Sequence, residues 1–347
     1  MVTLKDIADR ANVSSATVSY VLNNSAQISK ETREKVLKIV EELDYKGNKI
    51  AKSLRTNKTN TIGVIVEDMT VFNSPKIIDG INEYVEQKEF HIILSNLRLN
   101  KKINNKFKEI GTISLEIEKN INDLLGRQID GIIYIGEHPR DVTDIVGSID
   151  KPVVYTYCYT SREDDYKVNY DDKEAAYQAT NYLIEAGHEE IAVISGLIDS
   201  YTTHLRLQGY QQALADNNLV FNPAYIKTGD WTYETGYKQC KELLTQKNKP
   251  TAIFAFNDLM AAGVIEAAAE MGIDVPEEIS VIGFDNREFS SFCKPKLTTI
   301  ALPLWEMGIK SAQILINIIN EEQSREEVKD VKLECNLIER ESILKIN

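Results

Sequence analysis

Beyond Thr61 seven short apolar runs recur: TIGVIV, HIILSN, DGIIYIG, PVVYTYC, EIAVISG, TAIFAFN and ISVIGFD. Amphipathic stretches at helical spacing lie between them, among them Ile77 to Glu86, Asp172 to Glu185, Leu205 to Asn217 and Asp258 to Met271. A strand that is apolar on both sides must be covered on both faces, and helices alternating with such strands supply the cover. The pattern therefore restricts most of the chain to parallel α/β sheets. The units are too many for one such sheet, so two are expected. A length of 347 residues agrees with two or three domains.

The first 60 residues follow a different rule. In TLKDIADRANVSSATVSYVLNN, Thr3 suits a helix N-cap and Asp6 can reach back to complete a capping box. Leu4, Ile7, Ala8 and Ala11 recur on one helical face. Asn12 tolerates the left-handed conformation of a tight turn, and Val13 plugs the corner. Ser14 caps a second helix, with Val18, Val21 and Leu22 expected inward and Ser15, Ala16, Thr17, Ser19 and Tyr20 outward. Two helices across so short a turn make a helix-turn-helix, whose second helix fits the major groove. A third helix is capped by Ser29 and carries Val36, Val40 and Leu43 on one face.

Residues 46 to 59 turn basic and polar, and Ile50, Ala51 and Leu54 share one face of a short helix that Asn48 can cap. So short a helix does not hold unaided in water. The net charge of −13 argues at first against nucleic acid. Its distribution reverses that: residues 1 to 60 hold 11 Lys/Arg against 7 Asp/Glu, a balance of +4, and the remainder 29 against 46, or −17. A basic head on an acidic body discourages non-specific wrapping of DNA. No run is long enough to cross a membrane, and MVTLKDIADR has no apolar leader core, so a cytoplasmic protein is expected. Cys158, Cys240, Cys293 and Cys335 have no paired spacing and read as free thiols; His91, His138, His188 and His204 have no metal spacing. Neither a phosphate loop nor a serine elbow is present, so no enzyme, metal or cofactor is expected.

In order and at matching separations, TLKDIA, KIAKSLRT and SVIGFD make the chain resemble the lactose/galactose repressor family over its whole length. The resemblance implies an N-terminal all-α helix-turn-helix domain followed by an α/β core of two Rossmann-like subdomains, like a type I periplasmic binding protein. On that scheme residues 1–46 are the head, 47–60 the hinge and 61–347 the core. Subdomain one takes about 61–159 and 300–326, subdomain two about 160–299 and 327–347. It implies a homodimer on a palindromic double-stranded DNA operator. The DNA contacts would come from Thr3, Ser14, Ser15, Ala16, Thr17, Ser19, Tyr20 and Asn23 in the head, and from Lys49, Ile50, Ala51 and Leu54 in the hinge, with Leu54 as the minor-groove wedge. Gly47 departs from the proline many relatives carry, and Asn100 to Thr112 reads as a surface insertion.

Ligands of open α/β sheets bind at the carboxyl ends of strands. That rule selects Asp285, Asn257 and Asp258, and Arg206 at the start of the helix after EIAVISG. HLRLQGY and SVIGFD match the family's effector-binding arginine and aspartate, which Arg206 and Asp285 would supply. A guanidinium fork and a carboxylate suit a polyhydroxylated ligand, although the two could instead pair with each other. Trp231 stands where some relatives stack an aromatic ring on the ligand. Trp305 opens the crossover helix, and Phe72 is a further candidate. Tyr155, Tyr157 and Tyr159 alternate and are expected to share a face; Tyr157 lies near the position of a family aspartate. His188 fits a structural Gly-His turn. The implied effector is a sugar or sugar derivative bound by Arg206, Asp285, Asn257, Trp231, Tyr157 and Phe72. The alternatives are a catabolite-control regulator whose co-effector is a phosphoprotein, and a sugar-binding module without operator function.

Overall fold

The computed structural model describes residues 2–22, 28–43, 58–103, 111–322 and 329–346. It divides into two units, Met1–Thr59 and Asn60–Asn347.

In the first unit α1 spans Leu4–Ala11, α2 Ser15–Leu22 and α3 Lys30–Glu42. The Thr3 hydroxyl accepts from the Asp6 N–H at 3.3 Å, and the Asp6 carboxylate accepts from the Thr3 N–H at 2.7 Å, so the capping box forms as expected. Asn12 ends α1 at φ 56°, ψ 50°. Ser29 caps α3 through the Thr32 N–H at 3.2 Å. Ile7, Ala8, Ala11, Val18, Val21, Val36 and Ile39 form the core. Leu22, expected inward, is exposed, and Ile39 rather than Val40 completes the buried face of α3. Three short helices enclose a narrow core, which Val18 and Val21 fill from the α2 side.

The second unit holds two six-stranded sheets. The first runs β11-β5-β4-β3-β1-β2, all parallel, from Thr61–Val66 (β1), His91–Asn96 (β2), Gly131–Ile135 (β3), Val153–Thr156 (β4), Tyr166–Tyr170 (β5) and Asp330–Leu333 (β11). The second runs β12-β10-β9-β8-β6-β7, from Ile191–Ser195 (β6), Ile226–Thr228 (β7), Ala252–Ala255 (β8), Ser280–Asp285 (β9), Thr298–Ala301 (β10) and Asn336–Ile338 (β12). Only β12 is antiparallel there, against β10. β3, β6, β8 and β9 are buried along their whole length, as continuous apolar runs require. No helix of the described residues is long and apolar enough to cross a membrane.

The helices of this unit are α4 (Ser74–Gln87), α5 (Leu99–Ile103), α6 (Ser114–Leu125), α7 (Thr143–Val146), α8 (Asp172–Glu185), α9 (Tyr201–Asp216), α10 (Tyr233–Leu244), α11 (Asp258–Glu270) and α12 (Leu304–Asn320). Helices α4 and α12 touch backbone to backbone: a Cβ at Gly80 would lie 2.1 Å from the Trp305 carbonyl oxygen, and one at Gly308 2.1 Å from that of Ile77. Leu99 and Ile103 are buried, so the expected insertion is anchored where it begins, and residues 104–110 lie outside the described set.

The chain passes between the sheets after β5, after β10 and between β11 and β12. This moves the expected subdomain limits at 160 and 327. Tyr166–Tyr170 and Asp330–Leu333 both belong to the first sheet, and each is an edge or near-edge strand too polar to show as an apolar run.

Candidate functional site

Two regions gather the candidate residues, and the head offers the simpler one. The Ser14 hydroxyl accepts from the Thr17 N–H at 3.0 Å and lies 2.9 Å from the Thr17 hydroxyl, which starts α2 cleanly. Buried Val18 and Val21 fix the rotation of α2, leaving Ser14, Ser15, Ala16 and Tyr20 exposed and Thr17 and Ser19 half-buried. Thr3 is exposed beside its cap. The outward face of α2 thus offers hydroxyl donors and acceptors, one methyl group and one phenol, groups able to meet base edges and phosphates. Asn23, Lys49, Ile50, Ala51 and Leu54 lie outside the described residues.

The second region lies at the carboxyl ends of both sheets. Helix α9 begins at Tyr201, five residues before Arg206, because Leu197 to Ser200 close a turn ahead of it. Arg206 therefore sits in the second turn rather than at the start, and it is buried. Its Nε donates to Asp172 Oδ1 at 2.7 Å, its Nη2 to the Tyr170 hydroxyl at 3.0 Å and its Nη1 to the Phe256 carbonyl, while the Phe284 ring lies 3.6 Å from the guanidinium. Burial is the largest single influence and works against the charge, but Asp172, Tyr170 and Asp285 together outweigh it and hold Arg206 above the ordinary arginine range. Its carboxylate partner is thus Asp172, and not Asp285, the pairing left open by the sequence.

Asp285 ends β9 at φ 108°, an uncommon conformation for a residue with a Cβ, and is buried. Burial pushes its carboxyl up to about 6, against the pull of Arg287 and Arg206. Arg287 Nε lies 3.4 Å from Asp285 Oδ2, and the Arg287 backbone N–H donates to Asp258 Oδ2 at 2.7 Å. The Thr299 hydroxyl donates to Asp258 Oδ1 at 2.6 Å. Asp258 is pushed up to about 7 by burial and then by Asp285. Arg287 also lays its guanidinium 4.2 Å from the centre of the Phe72 ring, so a residue after β1 meets one after β9 across the two halves.

Asn257 uses its amide internally: Oδ1 accepts from the Met260 N–H at 2.8 Å and Nδ2 donates to the Trp231 carbonyl at 2.9 Å. It thereby caps α11 and ties down the turn holding Trp231, whose own φ is 71°. The Trp231 ring lies against Gly196, where a Cβ would come within 1.9 Å of it.

The tyrosine row does not share a face. Pairing of β4 ends at Thr156, and Tyr157 takes φ 58°, which turns the chain out of register. Tyr155 packs against Tyr134 on one side of the sheet, and Tyr157 against Tyr170 on the other, with centroids 5.7 Å apart. Burial raises the Tyr157 hydroxyl well beyond its ordinary range. Tyr159 meets Tyr201 at 5.3 Å, a second contact between the halves.

The ends of β1 and β3 carry charge that the sequence reading passed over. Glu67, fully buried, accepts from the Tyr134 hydroxyl at 2.7 Å, from Arg140, and from the Glu137 N–H at 2.8 Å. Burial pushes Glu137 up to about 7. Asp172, Glu67 and Glu137 were missed because their partners are remote in sequence, and Arg287 because, although Asp285 is two residues away, its contacts with Phe72 and Asp258 are remote; the doubled acid at Tyr170–Asp171–Asp172 was the one visible signal. His188 is structural as expected, with Nδ1 3.0 Å from the Thr251 hydroxyl and Nε2 3.1 Å from the Leu344 carbonyl.

Residues 3–48 match the family model described as bacterial regulatory proteins, lacI family, and residues 180–343 that of a periplasmic binding protein-like domain. The chain is 35% identical over 323 residues to catabolite control protein A of Priestia megaterium, covering 92% of this chain and 93% of that one. It is 33% identical to the ribose operon repressor of Haemophilus influenzae, with 99% of each covered. Among solved structures, a lac repressor dimer bound to operator and the anti-inducer ONPF superposes with a TM-score of 0.76 at 26% identity, covering 99% of both chains. A complex of the transcriptional regulator CelR with cellobiose gives 0.66 at 29%, covering 99% of this chain and 100% of that one.

Proposed function

The chain belongs to the LacI family of DNA-binding bacterial regulators, and on that premise we propose that it is a cytoplasmic repressor. It binds a roughly palindromic operator as a homodimer, and a small sugar-like effector in the core controls it. The observation that carries the reading is α2, capped at Ser14, anchored by Val18 and Val21, and presenting Ser15, Ala16 and Tyr20 to solvent. A two-fold dimer imposes two-fold symmetry on its site. Residues 47–60 serve as the hinge, with Leu54 as the wedge in the minor groove and Lys49, Ile50 and Ala51 beside it.

The effector site comprises Asp285, Arg206, Asn257, Trp231, Tyr157 and Phe72, with Arg287 added. The family premise and the meeting of both sheet ends at Phe72–Arg287 and Tyr159–Tyr201 support it. Effector binding changes the closure of the two halves and hence the spacing of the paired hinges. Selection of bound sequences from random DNA by the full chain tests the first part, and a symmetric consensus is expected. Gel shifts on that consensus with a panel of sugars test the second. An asymmetric or absent consensus, or an operator affinity that no panel member alters, would overturn the respective part. The 35% identity to a catabolite control protein favours a second reading, in which a phosphoprotein is the co-effector; operator binding enhanced by such a partner and by no sugar would select it.

A further inference from the structure

Among the described residues the charges at the two sheet ends do not balance. The first wall carries Glu67, Asp68 and Glu137 after β1 and β3, and the second carries Asp172, Asp258 and Asp285. Among the described residues three guanidinium groups pair with three of these carboxyls: Arg140 with Glu67, Arg206 with Asp172 at 2.7 Å, and Arg287 with Asp285 at 3.4 Å. Asp68, Glu137 and Asp258 remain. The bonds made by Asp68 come from neutral donors, the Thr70 N–H and hydroxyl and the Asn100 N–H. Those of Asp258 come from the Thr299 hydroxyl and the Arg287 N–H. Arg340, the next cation, is turned to the Ser290 hydroxyl, the Leu297 carbonyl and Asn286. Burial holds His138 neutral, pushed down to about 3. Three buried oxygens of the first wall, Glu137 Oε2, Asn100 Oδ1 and Asn73 Oδ1, receive no hydrogen bond. The two amide oxygens can only accept, so what they lack is a donor, while Glu137, pushed up to about 7, shares a side-chain hydrogen bond with Asn100.

We infer that the cleft selects by charge: it takes an uncharged or amino-substituted polyhydroxylated effector and rejects the phosphorylated form of the same compound. This rests on the cleft being the effector site. Hydroxyl and ammonium groups supply the missing donors, whereas a phosphate brings about 1.5 to 2 further negative charges and no donor of its own. Burial first, and after it a neighbouring carboxylate (Glu67 beside Glu137, Asp285 beside Asp258), displaces Glu137 and Asp258 upward from the ordinary carboxylate range.

Matched sets test the inference on the full chain by thermal shift and calorimetry: glucose, glucosamine and glucose 6-phosphate; ribose and ribose 5-phosphate; adenosine and its monophosphate. Binding is expected in the neutral or amino member of a set, at least tenfold tighter than in its phosphate. Asp258→Asn should narrow that gap at least tenfold, and Glu137→Gln on the opposite wall provides an independent variant if Asp258→Asn does not fold. A phosphate that binds wild type as tightly as its neutral partner overturns the inference, as does an unchanged gap in both variants. Neutral members that bind with the expected gap but leave operator affinity unaltered would remove the regulatory reading and keep the charge selectivity. If no member of any set binds, both readings fall.

Discussion

Arg206 shows how one residue can serve both fold and ligand. Its guanidinium is buried against Asp172, Tyr170 and Phe256, so truncation leaves a buried carboxylate without its counter-charge. Breaking such a pair from one side costs on the order of 3–5 kcal/mol, while replacing both members by apolar groups of similar size is often near neutral. Arg206→Ala should therefore lower stability on that scale in urea unfolding, and the Arg206→Met/Asp172→Leu double variant should recover much of the loss. Equal losses in both would mean that the pair is not coupled. Asp285→Ala is then the cleaner probe of sensing, since Asp285 holds Arg287 only at 3.4 Å. A second prediction follows from Asp258 and Asp285, whose folded values near 7 and 6 stand above the ordinary 3.8. Between about pH 4 and pH 7 the folded chain retains protons that the unfolded chain has released, so their contribution is fully present below the unfolded value and is lost as pH rises through the folded ones. Asp258→Asn, whose amide can donate to Thr299 while its oxygen accepts from the Arg287 N–H, should flatten that fall and gain stability relative to wild type at pH 8. Urea midpoints from pH 5 to 8 that run parallel in the two proteins would contradict this.

Elements were legible where periodicity was long and local. The capping box at Thr3–Asp6, the left-handed Asn12 and the fully apolar strands β3, β6, β8 and β9 all depend on residues a few positions apart. Strands such as β5 (YKVNY) and β11 (DVKL) were not legible, because at the edge of the sheet (β11) or next to it (β5) the demand for apolar residues on both faces is relaxed. The turn at Tyr157 was likewise hidden: nothing in alternating tyrosines announces a φ of 58°. The Arg206–Asp172 pair spans 34 residues, and only the folded sheets bring it together. At this scale the α4–α12 contact gives a sharp test. Gly80→Ala would set a methyl group against the Trp305 backbone, which cannot turn aside as a side chain would. A loss of roughly 1–3 kcal/mol, the usual range for overpacking, is expected in thermal unfolding. Exchange of Ser15, Ala16 and Tyr20 for the residues of a relative should move the selected operator without altering the melting temperature, because all three are exposed. An unmoved consensus would remove α2 as the reading element.

For the whole molecule the governing fact is a head of +4 joined to a body of −17. Acidic repulsion keeps the body away from phosphates, so non-specific affinity must come from the head and hinge cations and must fall steeply with salt. Each phosphate contact contributes about −0.9 to the slope of log K against log salt on duplex DNA. Lys49→Gln, which on the proposed reading removes one contact per protomer, should make the slope of a dimer shallower by about 2 and weaken operator and random DNA alike. Leu54→Ala should behave differently, since a wedge acts on base stacking and bending rather than on phosphate charge. Operator affinity should fall by on the order of a few kcal/mol, the scale of the unstacking and bending terms. The salt slope and the affinity for random DNA should remain near wild type. Titrations of both variants on both DNAs over a series of salt concentrations separate the two roles in one experiment. If Leu54→Ala weakens both DNAs equally, Leu54 contributes packing to the hinge and the wedge assignment fails; if Lys49→Gln leaves the slope unchanged, the hinge cations do not meet the backbone and the electrostatic share belongs to the head alone.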